Sequence, residues 1–357
     1  MIQSGFKIKN AFFLIVSLLV FYWSEVNGQV YLPNEQVEKD FKSLLIRPLT
    51  NLKPFIKSFK TDSVLIEKGF FYSEETEKVP LLIYKPLTGK KIYPVIICLH
   101  GTGGSKDNQD ITNMLYRFSK LGFMAVAIDA RYHGERVSPV GNSKNAYVDA
   151  IIKAWKNQDE SFQTHPFLFD TVYDLWCLTD YLVTRPDVQP SRIGMTGISM
   201  GGIETWMAAS VDKRIKVSVS IIAAQSFRWS LENNRWQGRA RTIWAAHEEA
   251  AKDLGDSVVN KESVKALWSK LLPGILDEFD CPSMIRLFAP RALLLLNNGA
   301  DQNCPLPGAE IAFEAARNTY ASKKAEDKLM IHVSPNEPHR LLPEHVKLAC
   351  DWFLKWL

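Results

Sequence analysis

The sequence predicts an α/β protein with a mostly parallel central sheet flanked by helices. Three observations predict it. The run Tyr93 to Leu99 is apolar almost throughout, as in a strand covered on both faces. From Ser63 onward such runs alternate with segments of helical periodicity, the pattern that builds parallel β–α–β connections. A length of 357 residues, 46% of them apolar and 23% charged, suits one large domain with ample core and insertions.

In chain order, Lys7 and Lys9 precede the apolar stretch Ala11 to Trp23, and the polar Ser24 to Gln29 follows. That is the layout of a secretory signal peptide over 1–28. The apolar run falls short of the about 20 residues a membrane span needs. The expectation is therefore cleavage near Gly28, no stable membrane span afterwards, and a secreted or periplasmic protein; an uncleaved N-terminal anchor is the competing reading. Residues 29–62 read as a polar arm with only a short helix-like patch. Val64 to Tyr72 and Val79 to Lys85, separated by the charged turn Ser73 to Lys78, predict an antiparallel hairpin at the sheet edge.

Alternation then begins. After the strand at Tyr93 to Leu99, the stretch Ile111 to Lys120 places Ile111, Met114, Leu115 and Phe118 on one helical face. Met124 to Ile128 is the next strand. Thr171 to Thr184 is helical, with Val172, Leu175, Trp176, Thr179 and Leu182 in one stripe. Arg192 to Gly197 is a strand, and a helix runs from Ser199 to about Ser210. Val217 to Ile222, Ala292 to Leu296 and Leu329 to Val333 complete the strands, with helices near Gly308 to Tyr320 and Pro343 to Leu357. Two segments break the rhythm. Val137 to Phe169 is long and polar-aromatic; about 225–285 is longer, largely helical, and carries Trp229, Trp236, Trp244 and Trp268. Insertions of this length are usually functional loops or caps. Ligands of open α/β sheets bind beyond the carboxyl ends of the strands, so 225–285 is expected to be a cap over the site, within a main domain of 63–357.

Composition excludes several classes. A formal charge of +4, with basic residues scattered among acids, gives no footprint for nucleic acid. Five cysteines at irregular spacing form neither a disulfide framework nor a zinc pattern. Cys98 and Cys177 sit in apolar patterns as buried thiols; one bridge, Cys281 to Cys304, is compatible with an oxidising compartment.

The chemistry-bearing motif is Gly197-Ile198-Ser199-Met200-Gly201 between a buried strand and a helix. A nucleophile must stand at the apex of a strained turn, and the two glycines let strand and helix approach closely enough. The helix start also directs free N–H groups toward negative charge developing near Ser199. A serine hydroxyl needs a base held by an acid. Asp301 follows the apolar strand Leu293 to Leu296, and His339 lies on the loop before the final helix. Asp301 has a rival role as a cap for the helix near Gly308, and Glu337 competes as the acid. His332 and His345 fall inside a strand and a helix; His165 and His247 come too early in the chain. The segment His100-Gly101-Thr102-Gly103-Gly104 directly follows a strand, so the N–H of Met200 and that of Thr102 or Gly101 are the expected oxyanion donors, worth roughly 3–4 kcal/mol when one is lost. No Gly-Lys-Ser/Thr follows that loop, which argues against phosphate binding. His100 is expected to brace the loop. Asp129 to Arg136, DARYHGER, predicts a buried charge network at a strand end, with Tyr132 and His133 as candidate substrate contacts.

Together HGTGG, DARYHGER, GISMGG, the Asp after a late strand and the late His resemble the α/β-hydrolase superfamily. The likeness is strongest to its dienelactone-hydrolase-like and acetyl-xylan-esterase-like branch, related to the catalytic domains of prolyl oligopeptidases, and covers roughly Val64 to Leu357. It implies an α/β-hydrolase fold with Ser199 as nucleophile, Asp301 as acid, His339 as base, and the amides of Thr102 and Met200 as oxyanion donors, without metal or organic cofactor. Ser199 stands where dienelactone hydrolases have cysteine. Arg131-Tyr132-His133-Gly134 stands where the similar esterases have RGQ, and the stretch between the expected signal segment and Ser63 is too short for the propeller of a prolyl oligopeptidase, which weakens the expectation of a peptidase. The expected activity is hydrolysis of a small-molecule or glycan carboxylic ester through an acyl-enzyme. A carbohydrate or aryl ester fits best, with Trp229 of the cap offering an aromatic face. The alternatives are a peptidase or amidase of the same fold, or a catalytically silent binding protein.

Overall fold

A computed structural model of the chain describes residues 24–26, 29–89, 91–137 and 145–357. The expected signal segment lies outside the described residues, apart from Ser24–Val26 (β1), which pairs antiparallel with Gln29–Tyr31 (β2). The expected cleavage point near Gly28 falls between these two strands, again outside the described residues. No helix among the described residues is long and apolar enough to cross a membrane.

The remaining strands are β3 (Phe55–Lys60), β4 (Val64–Tyr72), β5 (Lys78–Pro86), β6 (Tyr93–Leu99), β7 (Met124–Ile128), β8 (Val188–Ile198), β9 (Ile215–Ile221), β10 (Ala292–Asn298) and β11 (Leu329–Ser334). They form a 9-stranded sheet in the order β11-β10-β9-β8-β6-β7-β5-β4-β3. Neighbours from β11 to β7 run parallel; β5, β4 and β3 complete the sheet antiparallel. This is the α/β-hydrolase arrangement that the motifs imply.

The predicted hairpin of β4 and β5 forms, but it is not the edge. That place belongs to β3, which pairs with β4 from within the supposed arm. The segment FIKSFK is exposed at all but one position, so no alternation of buried and solvated side chains marks it as a strand. The arm also contributes α1 (Asn34–Leu44), which buries Val37 and Phe41. The Phe41 ring meets Phe169, Trp176 and Phe279 at centroid distances of 5.3, 6.1 and 5.0 Å. The predicted boundary between residues 62 and 63 is therefore crossed by both sheet pairing and core packing.

The helices flanking the sheet are α2 (Gln109–Lys120), α4 (Phe169–Thr184), α5 (Met200–Val211), α11 (Leu306–Ser322) and α12 (Pro343–Trp356). Strand β6 shows how both faces are filled. Val95, Ile97 and Leu99 join one core cluster, with Val172 and Leu175 of α4 and Ile203 of α5. Ile96 and Cys98 join the opposite one, with Ile111 and Phe118 of α2 and Phe353 of α12. Each such buried aliphatic side chain contributes about 1.5–3 kcal/mol, so the strand tolerates no polar interruption.

The cap segment carries α6 (Phe227–Glu232), α7 (Gln237–Arg241), α8 (Trp244–Asp253), α9 (Lys261–Leu271) and α10 (Cys281–Ile285). The other insertion contains α3 (Ala146–Lys156) and joins the same roof. The Tyr147 hydroxyl donates to the Thr242 carbonyl at 3.2 Å, and the Trp155 indole N–H to Asp253 at 3.0 Å. Of the cap tryptophans, Trp236 and Trp268 are buried packing residues, while Trp229 is half-buried and Trp244 exposed. All five cysteines are free thiols, and the bridge considered between Cys281 and Cys304 is not formed.

Candidate active site

In the sheet order the chain reverses direction beside β6: β7 lies on one side of it and β8 on the other. At that switch point the carboxyl ends of β6 and β8 open a crevice. The loop from His100 leaves β6 there, and Ser199 leaves β8. Ser199 has φ 55° and ψ −112°, a strained conformation at the strand-to-helix turn. A Cβ on Gly197 would sit 2.2 Å from the Gly201 carbonyl oxygen, and one on Gly201 would sit 2.5 Å from that of Leu99. Only glycine at both places lets β8, α5 and β6 come this close.

Ser199, His339 and Asp301 form one hydrogen-bonded chain. The Ser199 hydroxyl lies 2.8 Å from His339 Nε2, and His339 Nδ1 lies 2.7 Å from Asp301 Oδ2. The other Asp301 oxygen accepts the amides of Asn303 and Cys304 at 2.7 and 3.0 Å. Asp301 is 2% exposed, which keeps its attraction for a charged imidazole strong. Of the competing acids, Glu337 is engaged by Arg340 instead. The loop bearing His339 is fixed by Asn298, whose side-chain amide donates to the carbonyls of Pro338 and Arg340 at 2.6 and 2.9 Å. Sequence reasoning missed Asn298. Its signal was two asparagines closing an otherwise apolar strand. Cys304 Sγ, an Asp301 oxygen and a His339 ring nitrogen lie within 4.8 Å of one another. Asp301 is already bonded on both oxygens, and the thiol donates to the Ile222 carbonyl at 3.2 Å, so each of these groups is already engaged within the chain.

The two expected oxyanion donors border the serine. Met200 opens α5, where N–H groups lack intrahelical acceptors. A Cβ on Gly101 would lie 3.7 Å from the Ser199 Cβ, which brings the 100–104 loop against the nucleophile. Gly103, at φ +74°, turns that loop, and the Gly104 amide closes it onto Gly101 at 3.0 Å. Among the described residues, neither the Met200 nor the Thr102 amide donates to a protein acceptor. His100 braces the loop as expected. Its Nδ1 donates to the Gly101 carbonyl at 2.8 Å, and its Nε2 accepts the Ala130 amide at 3.1 Å. Burial pushes its pKa down to about 4, which suits a neutral ring that donates on one side and accepts on the other.

The DARYHGER segment is the buried network its composition predicts. Arg131 binds both oxygens of Asp174 at 2.9 Å and also reaches Glu74; Arg136 pairs with Asp174 and with Glu77. Burial raises the Asp174 carboxyl, but the two guanidinium groups outweigh it and hold the pKa well below the usual carboxylate range. Lys106, 2% exposed, joins Asp129 and Glu135 at 2.9 and 2.6 Å. Asp174 and Lys106 went unnoticed in the sequence. Asp170 and Asp174, one turn apart on an apolar helix, were the available signal.

His133 is corrected as a substrate contact. Its ring is 1% exposed and stacks on Tyr147 at 4.8 Å, so the α3 insertion covers it. Burial and the nearby His100 push its pKa down to about 4. Tyr132 is half-buried with φ 61° and shapes the turn. Trp229 lines a cleft of about 400 Å³ with Asn233, Arg235, Asp301, Gln302 and Pro305. The acid loop around Asp301 forms one wall of that cleft.

Residues 27–226, more than half of the chain, match the acetyl xylan esterase (AXE1) family. The chain belongs to the acetyl xylan esterase family. The matched segment includes Ser199 and the 100–104 loop, whereas Asp301 and His339 lie beyond it. YtaP of Bacillus subtilis (strain 168), whose name suggests a hydrolase, is 31% identical over 157 residues, 41% of this chain and 48% of YtaP. The matched stretch thus spans about half of that relative's length. YitV of the same organism, whose name suggests an esterase, is 25% identical over 284 residues, 78% of this chain and 96% of YitV. Acetyl xylan esterase 1 from Thermoanaerobacterium sp. JW/SL YS485 shares the fold, with a TM-score of 0.64 at 21% identity over 91% of this chain and 99% of that one.

Proposed function

We propose that this protein is a serine hydrolase of carboxylic esters that removes a short acyl group, such as acetyl, from a carbohydrate or aryl alcohol. The observation that carries the reading is the continuous chain from Ser199 through His339 to a buried Asp301, at 2.8 and 2.7 Å. His339 takes the Ser199 proton as Oγ attacks the acyl carbon, and Asp301 orients the ring and stabilises the imidazolium. The amides of Met200 and Thr102 receive the oxyanion. His339 then returns the proton to the departing alcohol, and water releases the acyl group by the same path. Family membership and the names of the relatives support an ester substrate and do not favour an amide. Export through residues 1–28 belongs to the same proposal. A mature N-terminus at Gln29 in the exported fraction supports it, and protein found only inside the cell with Met1 intact counts against it.

A fluorophosphonate probe tests the chemistry. Labelling of the wild type, lost in Ser199→Ala together with at least about 10⁴-fold of the activity on 4-nitrophenyl acetate, is the expected result. Folded wild-type protein that takes no label overturns it, and faster turnover of a matched 4-nitroanilide than of the ester moves the assignment to an amidase.

A further inference from the structure

The cap holds a buried arginine that no carboxylate among the described residues contacts. Arg239, on α7, is 7% exposed. One of its terminal nitrogens donates to Cys304 Sγ at 3.0 Å, its Nε is buried without an acceptor, and Phe227 lies 5.8 Å from the guanidinium carbon. No carboxylate among the described residues pairs with it, and residues 138–144, the undescribed part of the neighbouring insertion, contain no Asp or Glu. A thiol and a ring face compensate a guanidinium only in part; a desolvated cation of this kind is stable in company with an anion.

Its position says which anion could reach it. Arg239 lines an otherwise mainly apolar cavity between cap and core, with Phe167, Ile203, Phe227, Thr242 and Trp268 among the walls. The amide of Ile203 donates to the Ser199 carbonyl at 3.0 Å, so this wall lies one helical turn from the nucleophile, although Ser199 and His339 do not themselves line the cavity. Cys304, which Arg239 touches, is the neighbour of Asp301 and His339. A Cβ on Gly238 would lie 2.0 Å from the Gln302 carbonyl oxygen, so α7 is seated directly on the acid loop. The cavity holds about 30 Å³, and one water needs about 10–15 Å³ by this measure, so it has room for a carboxylate-sized group and not for a sugar ring.

We infer that Arg239 is an anion-recognition residue of the ester site, and that the preferred substrates carry a free carboxylate a few bonds from the scissile ester. The carboxylate enters the cavity and takes the guanidinium as its counter-ion, while the ester carbonyl lies at Ser199. This deepens the esterase reading and rests on it.

The test compares monomethyl succinate with dimethyl succinate near neutral pH, following hydrolysis by NMR. The same proteins are also melted with and without succinate, a readout that needs no turnover. The wild type is expected to favour the anionic monoester in kcat/KM by at least about tenfold, the scale of one charge-assisted hydrogen bond. Arg239→Met is expected to lose that ratio and the succinate-dependent rise in Tm. Arg241→Met, which removes an exposed charge from the same helix, is expected to retain both. Should Arg239→Met fail to fold, the wild type alone decides through its ratio and its response to succinate. Hydrolysis of the diester without preference for the monoester, and without a succinate effect on Tm, overturns the inference and leaves the esterase reading standing. A succinate effect confined to proteins bearing Arg239, with neither succinate ester nor 4-nitrophenyl acetate hydrolysed, supports the anion site and overturns the esterase reading.

Discussion

Arg131 and Arg239 are both buried arginines at the edge of the same site, and they are compensated in opposite ways. Arg131 is held by both oxygens of Asp174 and by Glu74, inside a network that includes Arg136 and Glu77. Arg239 has one thiol and one aromatic face. The first charge is balanced within the chain, so its work is to fix the strand-end turn. The second lies where cap meets core and faces a cavity. A buried cation that the protein balances for itself is architecture; one it leaves unbalanced beside a nucleophile is a demand on the ligand.

The largest effect that would sharpen this contrast comes from Asp174→Ala. Removing the shared carboxylate strands two guanidinium groups in a buried setting, so a loss of about 3–5 kcal/mol is expected in urea unfolding. A loss below about 1 kcal/mol would mean that Glu74 and Glu77 suffice, and the network would then be redundant rather than essential.

That network was half legible in the sequence. DARYHGER announced its charges because six of its eight residues are titratable, and the structure places Arg131 and Arg136 in it. Its partners Asp174 and Lys106 were not announced, because each lies in a segment whose dominant signal is something else, a helix stripe or a glycine loop. The parallel strands were legible because burial on both faces forces apolar runs, and Ser199, His339 and Asp301 because each follows such a run. β3 was not, since an exposed edge imposes no alternation. Arg239 was invisible for a related reason. Nothing in WQGRART distinguishes a guanidinium turned inward from one in water, and only the close seat of Gly238 on Gln302 decides it.

A smaller effect separates the histidines of the two regions. His100 below the core network uses both ring nitrogens, whereas His247 in the cap is fully buried with neither nitrogen bonded. Burial pushes the His247 pKa down to about 4, below the about 6.5 of an unfolded chain. The unfolded state therefore takes up a proton that the folded state refuses. Stability is fully present above about pH 6.5, falls as the pH drops toward about 4, and levels off below. At pH 5 this one ring accounts for about 2 kcal/mol of lost stability. His247→Phe, which keeps an aromatic ring without a titrating nitrogen, is expected to narrow the difference in unfolding free energy between pH 7 and pH 5 by about that amount. An unchanged difference would show that His247 is already charged in the fold or finds a partner there.

The smallest stability effect is expected at Arg239, where the expected functional effect is on the choice of substrate. Replacing Arg131 by Met would strand Asp174 against Arg136 alone. Replacing Arg239 by Met strands no carboxylate and removes a charge that pays its desolvation without a counter-ion. What is lost is the bond to Cys304 and the contact with the Phe227 ring, together about 1 kcal/mol, and relief of the buried charge offsets it. Arg239→Met should therefore unfold in urea within about 1 kcal/mol of the wild type, whereas Arg131→Met should lose about 3 kcal/mol or more. Equal losses at the two sites would break the contrast, because they would show Arg239 to be balanced by the chain itself. A stable Arg239→Met that no longer distinguishes monomethyl from dimethyl succinate would place the cost of that charge where the cavity puts it, on recognition of the substrate.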